Sequence, residues 1–146
     1  MKKLFFKFTA YLVLSFTLVF ALGGCFQKPP LVIKESDTYI VITVSDEQMS
    51  LSNDTTLVAY MQSLKEDGQL EFELQNGMIT SINGIENAAD WSNCWMLYTS
   101  DADNANTALG TVEYQLSVYG SSMYGAEELK IKDGYLYIWV YQSMSW

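Results

Sequence analysis

Cys25 is the residue whose neighbours in the sequence most clearly indicate a chemical modification. It follows two glycines, and an apolar run at residues 8–22 precedes them after three lysines near the amino terminus. This order is typical of a bacterial lipoprotein signal, in which the glycines admit a peptidase and the thiol accepts a lipid. The apolar run is shorter than the ~20 residues that a membrane-spanning helix needs. We therefore expect a signal peptide at residues 1–24 and a lipidated Cys25 that anchors the protein on the outer face of the bacterial cell membrane.

The chain has no histidine, which limits the catalytic mechanisms that its other residues could support. Histidine-dependent acid–base catalysis, triads that use histidine and histidine-ligated zinc are therefore excluded. Two carboxylates acting on a sugar, as in glycosidases, remain an alternative. Its candidates are Asp90, Asp101 and Asp103, near Trp91 and Trp95 in sequence. A domain of this size offers little cleft for such a reaction, so we expect that the protein is not an enzyme.

Two further groups of residues have a chemical alternative to a structural role. Asp101 and Asp103 have the spacing of the first two ligands of a calcium loop, but Ala105 follows where a third ligand belongs. We therefore expect no metal and no other cofactor. Cys94 has no partner within the chain once Cys25 carries a lipid, and no basic residue lies near it in sequence. We expect a buried, unreactive thiol, with a reactive thiol or an intermolecular bridge as the alternative.

The composition limits the partners of the mature chain. Removal of residues 1–24 leaves about 120 residues, which is enough for one domain with a modest core. Five lysines then stand against seventeen acidic residues, a net charge of −12. A surface this acidic repels nucleic acid and anionic lipid headgroups. We therefore exclude nucleic acid as a partner and expect contact with the membrane through the lipid anchor.

The remaining chain predicts a tether at residues 25–36, which contains two prolines, and an α+β domain at residues 37–146. A helix is expected over residues 56–66, capped by Asp54 or Thr55, with one apolar face. Residues 100–110 are polar and indicate a loop. Branched and aromatic residues predict strands at 38–44, 70–75, 78–82, 94–99, 111–119 and 135–141, with a tight Asn76-Gly77 hairpin turn between the second and the third.

The last predicted strand is apolar on both faces. Tyr135, Tyr137, Trp139 and Tyr141 alternate with Leu136, Ile138 and Val140. A strand places these two sets on opposite faces of its sheet. We expect the aliphatic set to meet the helix and form the core. The aromatic set must be covered too, either by a second layer of the same protein or by a ligand.

Five segments occur in an order and at a spacing that resemble one known family. They are Ile82-Asn83-Gly84, Trp95-Met96-Leu97-Tyr98, Tyr124-Gly125-Ala126, Ile131-Lys132-Asp133-Gly134 and Tyr137-Ile138-Trp139-Val140-Tyr141. Together they are similar to the transcobalamin-like C-terminal domain family (DUF4430) over roughly residues 38–141. The resemblance implies an α+β fold of the β-grasp-like kind, a mixed sheet of short strands with one packed helix. In vertebrate transcobalamin and intrinsic factor, this domain closes over cobalamin beside a helical domain that the present sequence does not contain.

The resemblance and the aromatic content imply a surface-anchored, non-catalytic domain that binds a small ligand. A corrinoid, another flat molecule or a carbohydrate is the expected ligand, because such rings stack on Trp and Tyr side chains. The candidate ligand-binding residues are Trp95, Tyr98, Tyr124, Tyr137 and Trp139. The alternative is an accessory lipoprotein that docks on a membrane transporter or a cell-wall complex and has no small ligand of its own.

Replacement of Cys25 with Ser should abolish lipidation, because it removes the acyl acceptor. The variant should accumulate as an uncleaved precursor or leave the membrane, since stable anchoring needs about two acyl chains. Metabolic labelling with a fatty acid measures the modification, and Cys94→Ser is the matched control that should keep its label. A fatty-acid label that persisted in the Cys25→Ser protein would contradict the assignment.

Overall fold

The computed structural model describes residues 29–45, 47 and 52–144. The expected signal peptide and Cys25 lie outside these residues. In chain order the described part forms β1 (Val32–Ser36), β2 (Tyr39–Thr43), α1 (Leu57–Glu66), β3 (Phe72–Gln75), β4 (Met78–Ile82), β5 (Ile85–Glu86), β6 (Asn93–Thr99), a 3₁₀ turn (Ala102–Asn104), β7 (Ala105–Tyr114), β8 (Ser117–Ser122) and β9 (Leu136–Ser143).

Within the described residues the strands form two sheets and one α-helix is present, which fits the α+β class loosely. The large sheet has the order β1-β2-β9-β6-β8-β7, and the small sheet has the order β3-β4-β5. All the pairings between these strands are antiparallel. The expected mixed sheet is therefore wrong for the described residues. Tight turns join β1 to β2, β3 to β4 and β7 to β8, and such turns can connect only antiparallel neighbours.

Strand β1 lies in the segment that was assigned to the tether. Ile33 is opposite Val41 of β2, and the backbone N–H of Thr43 donates to the carbonyl of Leu31 at 2.8 Å. Leu31 is buried. The prolines suggested a tether, but the branched residues that follow them favour a strand. The folded domain therefore includes residues 31–36, which the sequence had placed in the expected tether.

Helix α1 forms where it was expected, and its cap lies one residue further along the chain. The hydroxyl of Thr56 accepts a hydrogen bond from the backbone N–H of Ala59 at 3.4 Å, which makes Thr56 the N-cap in place of Asp54 or Thr55. Gly68 follows the helix with φ +70°, the left-handed conformation typical of a residue that ends a helix. The apolar face is buried and comprises Leu57, Tyr60, Met61 and Leu64.

The helix meets the aromatic face of β9, and the expected aliphatic face lies on the other side of the sheet. Tyr137 and Trp139 belong to the main core together with the buried face of α1, whereas Ile138 lies in a second cluster. The pairing with β2 explains this orientation, because Ile40 is opposite Trp139 and Ile42 is opposite Tyr137. Directly opposed residues share a face of the sheet. The sequence could not decide the orientation, since both faces of β9 are apolar.

The second cluster forms because the large sheet curls. Tyr39 of β2 donates its hydroxyl hydrogen to the carbonyl of Glu113 on β7 at 2.7 Å, and its ring lies 6.4 Å from the ring of Tyr114. Three strands separate β2 from β7 in the sheet, so a flat sheet could not make these contacts. The curled sheet buries Ile138 together with Val41, Tyr98 and Tyr114.

Strands β7 and β8 form a hairpin over residues 105–122, so the expected loop is confined to residues 100–104 and the expected strand at 111–119 is interrupted by a turn. The turn between β7 and β8 is made by Gln115 and Leu116, whose φ angles are +47° and +65°. Two successive left-handed residues suit a two-residue hairpin turn, which usually contains Asn and Gly. Neither residue here signals a turn, so the alternation of apolar residues appeared to continue through it.

A bulge sets the register of the small sheet. A regular two-residue turn at Asn76-Gly77 would place Ile79 opposite Leu74 but would turn Ile82 toward the acidic face. In the structure the Leu74–Ile79 pair forms, and the register then shifts between Glu73 and Leu74. Ile82 consequently lies opposite Phe72, and both side chains are buried. The extra residue of the bulge lets both Ile79 and Ile82 keep their side chains in the core.

Asp101, a candidate for calcium binding and for catalysis, is a structural carboxylate. It is 1 % exposed, and its oxygens lie 2.8 Å from the ammonium of Lys132, 2.8 Å from the amide nitrogen of Asn104 and 3.2 Å from the backbone nitrogen of Asp103. Burial raises the pKa of this carboxyl, but these hydrogen bonds lower it by more, so the pKa lies below its ordinary value. The described residues contain no group of three His, Cys, Asp or Glu side chains that could hold a metal ion.

The Asp101→Asn variant should lose about 1–3 kcal/mol of unfolding free energy at neutral pH, because it removes charge-assisted hydrogen bonds. The pKa is lower in the folded state, so this stabilisation is present above the unfolded pKa and is lost as pH falls through the folded value. The difference between wild type and variant should therefore shrink below about pH 4. Urea unfolding at several pH values measures it.

Glu128→Gln, which changes an exposed carboxylate, is the control and should shift stability by less than about 0.5 kcal/mol. A difference between wild type and Asp101→Asn that stayed constant in acid would show that the charge of Asp101 does not stabilise the fold.

Candidate functional site

A cavity of about 640 Å³ lies between the two sheets. Residues of β4, β6, β9 and the end of β8 line it, together with the segments that follow β5, β8 and β9. Its volume falls in the range of roughly 300–1,000 Å³ that is usual for small-molecule sites. This cavity is therefore the candidate site of the described domain.

Three of the five candidate residues line the cavity, namely Trp95, Tyr124 and Trp139. The other two do not. Tyr98 points to the opposite face of β6, where its hydroxyl accepts a hydrogen bond from Gln142 at 3.0 Å. Tyr137 lies in the core with α1, and its hydroxyl accepts from the backbone N–H of Lys132 at 3.1 Å. Both tyrosines therefore support the fold without facing the cavity.

The sequence did not identify Trp91 or the methionines as part of one site. Trp91 lines the cavity from the turn before β6, where it has φ +58° and its backbone N–H donates to the carbonyl of Ala88 at 2.9 Å. Methionine side chains are flexible and adapt to ligands of different shape. Met78, Met123 and Met144 line the cavity, and Met96 borders it although its side chain packs in the second cluster on the other face of β6. Their number was visible in the sequence, but their convergence depends on the tertiary fold.

Asn87 holds one wall of the cavity in place. Its side-chain oxygen accepts from the backbone N–H of Trp95 at 2.9 Å, and its side-chain nitrogen donates to the carbonyl of Ile79 at 2.9 Å. The indole N–H of Trp95 donates to the carbonyl of Ile85 at 2.8 Å. These bonds join the small sheet to β6 and fix the orientation of the Trp95 ring, so this wall is formed before any ligand arrives.

The helix holds the opposite segment of the cavity, residues 123–126. The backbone N–H of Leu57 donates to the carbonyl of Leu129 at 2.8 Å, and that of Val58 donates to Ala126 at 2.9 Å. The first N–H groups of a helix have no partner within the helix. Here they position the chain that carries Tyr124, which is 46 % exposed at the rim.

The lining is uncharged and almost entirely apolar, although the chain is strongly acidic. The hydroxyl of Ser121 lies 3.5 Å from the carbonyl of Leu97, and that of Ser122 donates to the carbonyl of Tyr124 at 2.8 Å. Trp139 is the lining residue whose polar group has no such partner. Its indole nitrogen is buried and has no hydrogen-bond partner among the described residues.

Cys94 is buried at the edge of the cavity, as the sequence predicted. Its sulfur lies 3.8 Å from the sulfur of Met96, and it forms no disulfide within the described residues. Burial raises the pKa of the Cys94 thiol. The thiol is therefore a weak nucleophile at neutral pH.

Comparison with known proteins yields no significant similarity: no family model, curated protein or solved structure matches this chain. The resemblance to the transcobalamin-like C-terminal domain family therefore stays a prediction that rests on the five segments. Within the described residues, no helix combines the length and the apolar character that a membrane span requires.

The Cys94 thiol should react slowly with iodoacetamide in the native protein at pH 7, because its raised pKa leaves little thiolate. The rate should increase as pH rises and should still be increasing above the ordinary thiol value of about 8.5. The Cys25→Ser protein isolates this thiol, and mass spectrometry before and after denaturation measures its labelling. Fast native labelling at pH 7 would reveal an accessible thiolate instead.

Proposed function

We propose that this chain is a lipoprotein on the outer face of the bacterial membrane whose domain binds a small ligand without catalysis. The convergence of Trp91, Trp95, Tyr124 and Trp139 on one cavity of ligand size carries the proposal. The sequence around Cys25 supports the lipid anchor, and the short chain between it and β1 would keep the domain near the membrane. The β-grasp-like relationship, which rests on the five segments, belongs to the same proposal.

A flat ring system fits the cavity better than an oligosaccharide does. Aromatic side chains stack on both, at about 0.5–1.5 kcal/mol for each good ring contact. A sugar also brings several hydroxyl groups, and buried hydroxyls without partners are costly. The side chains of Asn87, Ser121 and Ser122 already bond to the protein itself. The lining therefore favours a flat ring system with few polar groups. A corrinoid carries several amide groups with the same desolvation cost, so it stays a candidate on the family resemblance alone.

The position of the acidic residues supports a binding protein over a glycosidase. Among the residues that the structure describes, no carboxylate lines the cavity. Asp101 is engaged by Lys132, and Asp90 is exposed and accepts from the backbone N–H of Ser92 at 3.0 Å. A glycosidase needs two carboxyl groups that flank one bound sugar.

The β7–β8 hairpin favours the accessory-protein alternative. Leu109, Leu116 and Val118 are exposed on it, and Leu116 lies at the turn. A cluster of exposed apolar residues can mark a contact with another protein. In this alternative the lipoprotein docks on a membrane transporter or a cell-wall complex through the hairpin.

Ligand binding is tested by titrating the protein with cobalamin, cobinamide and oligosaccharides while tryptophan fluorescence is recorded. Three of the four tryptophans line the cavity, so a ligand there should quench the emission. Trp91→Ala and Tyr124→Ala should each raise Kd by about two- to tenfold, the effect of losing one aromatic contact. Both side chains are well exposed, so these variants should stay folded.

Leu116→Ala is the control, because it removes an exposed apolar side chain from the hairpin and leaves the cavity intact. Its Kd should equal that of the wild type. If the fluorescence did not respond to any of these compounds, the accessory-protein alternative would become the better one. If binding occurred with unchanged Kd in both aromatic variants, the ligand would lie outside this cavity.

A further inference from the structure

A smaller surface groove of about 270 Å³ lies next to the cavity, and Glu73 and Glu86 are among the residues that line it. Trp91 and Asn87 line both the cavity and this acidic groove. We propose that the ligand has an apolar part that enters the cavity and a cationic group that lies in the acidic groove. The inference rests on the proposed small-ligand function and specifies the chemical class of the ligand.

The first observation is the wall that the two spaces share. Trp91 is 42 % exposed, so its indole is accessible to a ligand. An indole ring stacks on flat apolar groups and also attracts cations to its face. The amide of Asn87 is already bonded to Trp95 and Ile79, so it holds this wall in place. A single short ligand can therefore contact the cavity and the acidic groove on either side of Trp91.

The second observation is that the carboxylates of the groove have no cation of their own. Glu73 and Glu86 are both exposed. Each of the four lysines in the described part of the chain pairs with another carboxylate, and none lies within 4.0 Å of Glu73 or Glu86. The negative charge of these two side chains is therefore available to a ligand.

The third observation is that the two spaces suit different parts of one molecule. The described lining of the cavity carries no charge, so a cation placed there would lose its hydration without gaining a counter-charge. In the acidic groove a cation meets two carboxylates at the surface and keeps part of its hydration. An anionic ligand would be repelled by the same carboxylates and by the net charge of the mature chain. The charge pattern thus selects a cation at one end of the ligand.

A matched pair of probes isolates the charge. The cationic probe is 3-(2-naphthyl)propyl-trimethylammonium, and the neutral probe is 2-(4,4-dimethylpentyl)naphthalene, in which carbon replaces the charged nitrogen. NMR titration of the mature lipoprotein in nanodiscs of zwitterionic lipid gives both values of Kd, and empty nanodiscs correct for partitioning into lipid. We expect both probes to shift the indole N–H resonances of the cavity tryptophans.

Paired variants assign the charge effect to the acidic groove. The Glu73→Gln/Glu86→Gln protein should bind the cationic probe about two- to tenfold more weakly, the loss of two exposed ion pairs, and the neutral probe with unchanged Kd. The control is Glu35→Gln/Glu113→Gln. It removes two exposed carboxylates that line a separate shallow groove beside Tyr39, so both values of Kd should stay those of the wild type.

Salt gives an independent readout of the same charge. An increase in sodium chloride from about 0.02 M to about 0.3 M should weaken binding of the cationic probe, because salt screens exposed charges. This salt dependence should be smaller in the Glu73→Gln/Glu86→Gln protein and unchanged in the control variant.

The possible outcomes separate this inference from the proposed function. If both probes bound and the Glu73→Gln/Glu86→Gln change left the Kd of the cationic probe unaltered, the inference would be overturned and small-ligand binding would stand. An equal loss of affinity in the control variant would also overturn it, because the attraction would then come from the overall charge. Failure of both probes to bind would contradict the two proposals together.

Discussion

The fold depends on one constraint, which is that β9 is apolar on both faces and lies inside the large sheet. Its neighbours β2 and β6 satisfy its backbone hydrogen bonds, but each face still has to be shielded from water. On one side, α1 and the small sheet cover Tyr137 and much of the Trp139 side chain. On the other side, the sheet curls until Tyr114 of β7 reaches Tyr39 of β2 and encloses Ile138. The two hydrophobic clusters thus shield the two faces of β9 from water.

The candidate cavity follows from incomplete cover on the aromatic side. Tyr137 is enclosed by the main core and its hydroxyl bonds to the backbone of Lys132, whereas Trp139, two residues along the same face, lines the cavity. The sequence of β9 left two alternatives for the cover of its aromatic face, a second layer of the protein and a ligand. In the structure the protein itself buries both side chains, and Trp139 differs from Tyr137 only in that it also lines the cavity.

Local features were predictable, and long-range pairings were not. The buried face of α1, the Asn76-Gly77 turn and the burial of Cys94 follow from residue types and spacing within a few positions of the chain. The turn at Gln115 and Leu116 was missed because its backbone conformation is rare for these residues. The sequence predicted Trp95, Tyr124 and Trp139 as candidate ligand-binding residues, but not that they line one cavity. The separation of Trp95 from Tyr98 follows from strand alternation, because the two residues are three positions apart in β6. Which face of β6 borders the cavity depends on long-range pairings such as that of β6 with β9.

The cavity combines a fixed wall with an adaptable one, and this combination bears on how it would bind. Trp95 is held by hydrogen bonds to Asn87 and Ile85, so a ring that stacks on it need not order that side chain. The methionine side chains opposite carry no such restraint and can adjust to the ligand. The acidic residues lie outside the lining, where their charge favours solubility without opposing a neutral ligand. Recognition in such a site would come mainly from aromatic stacking and apolar contact, because the lining carries no charged side chain among the described residues.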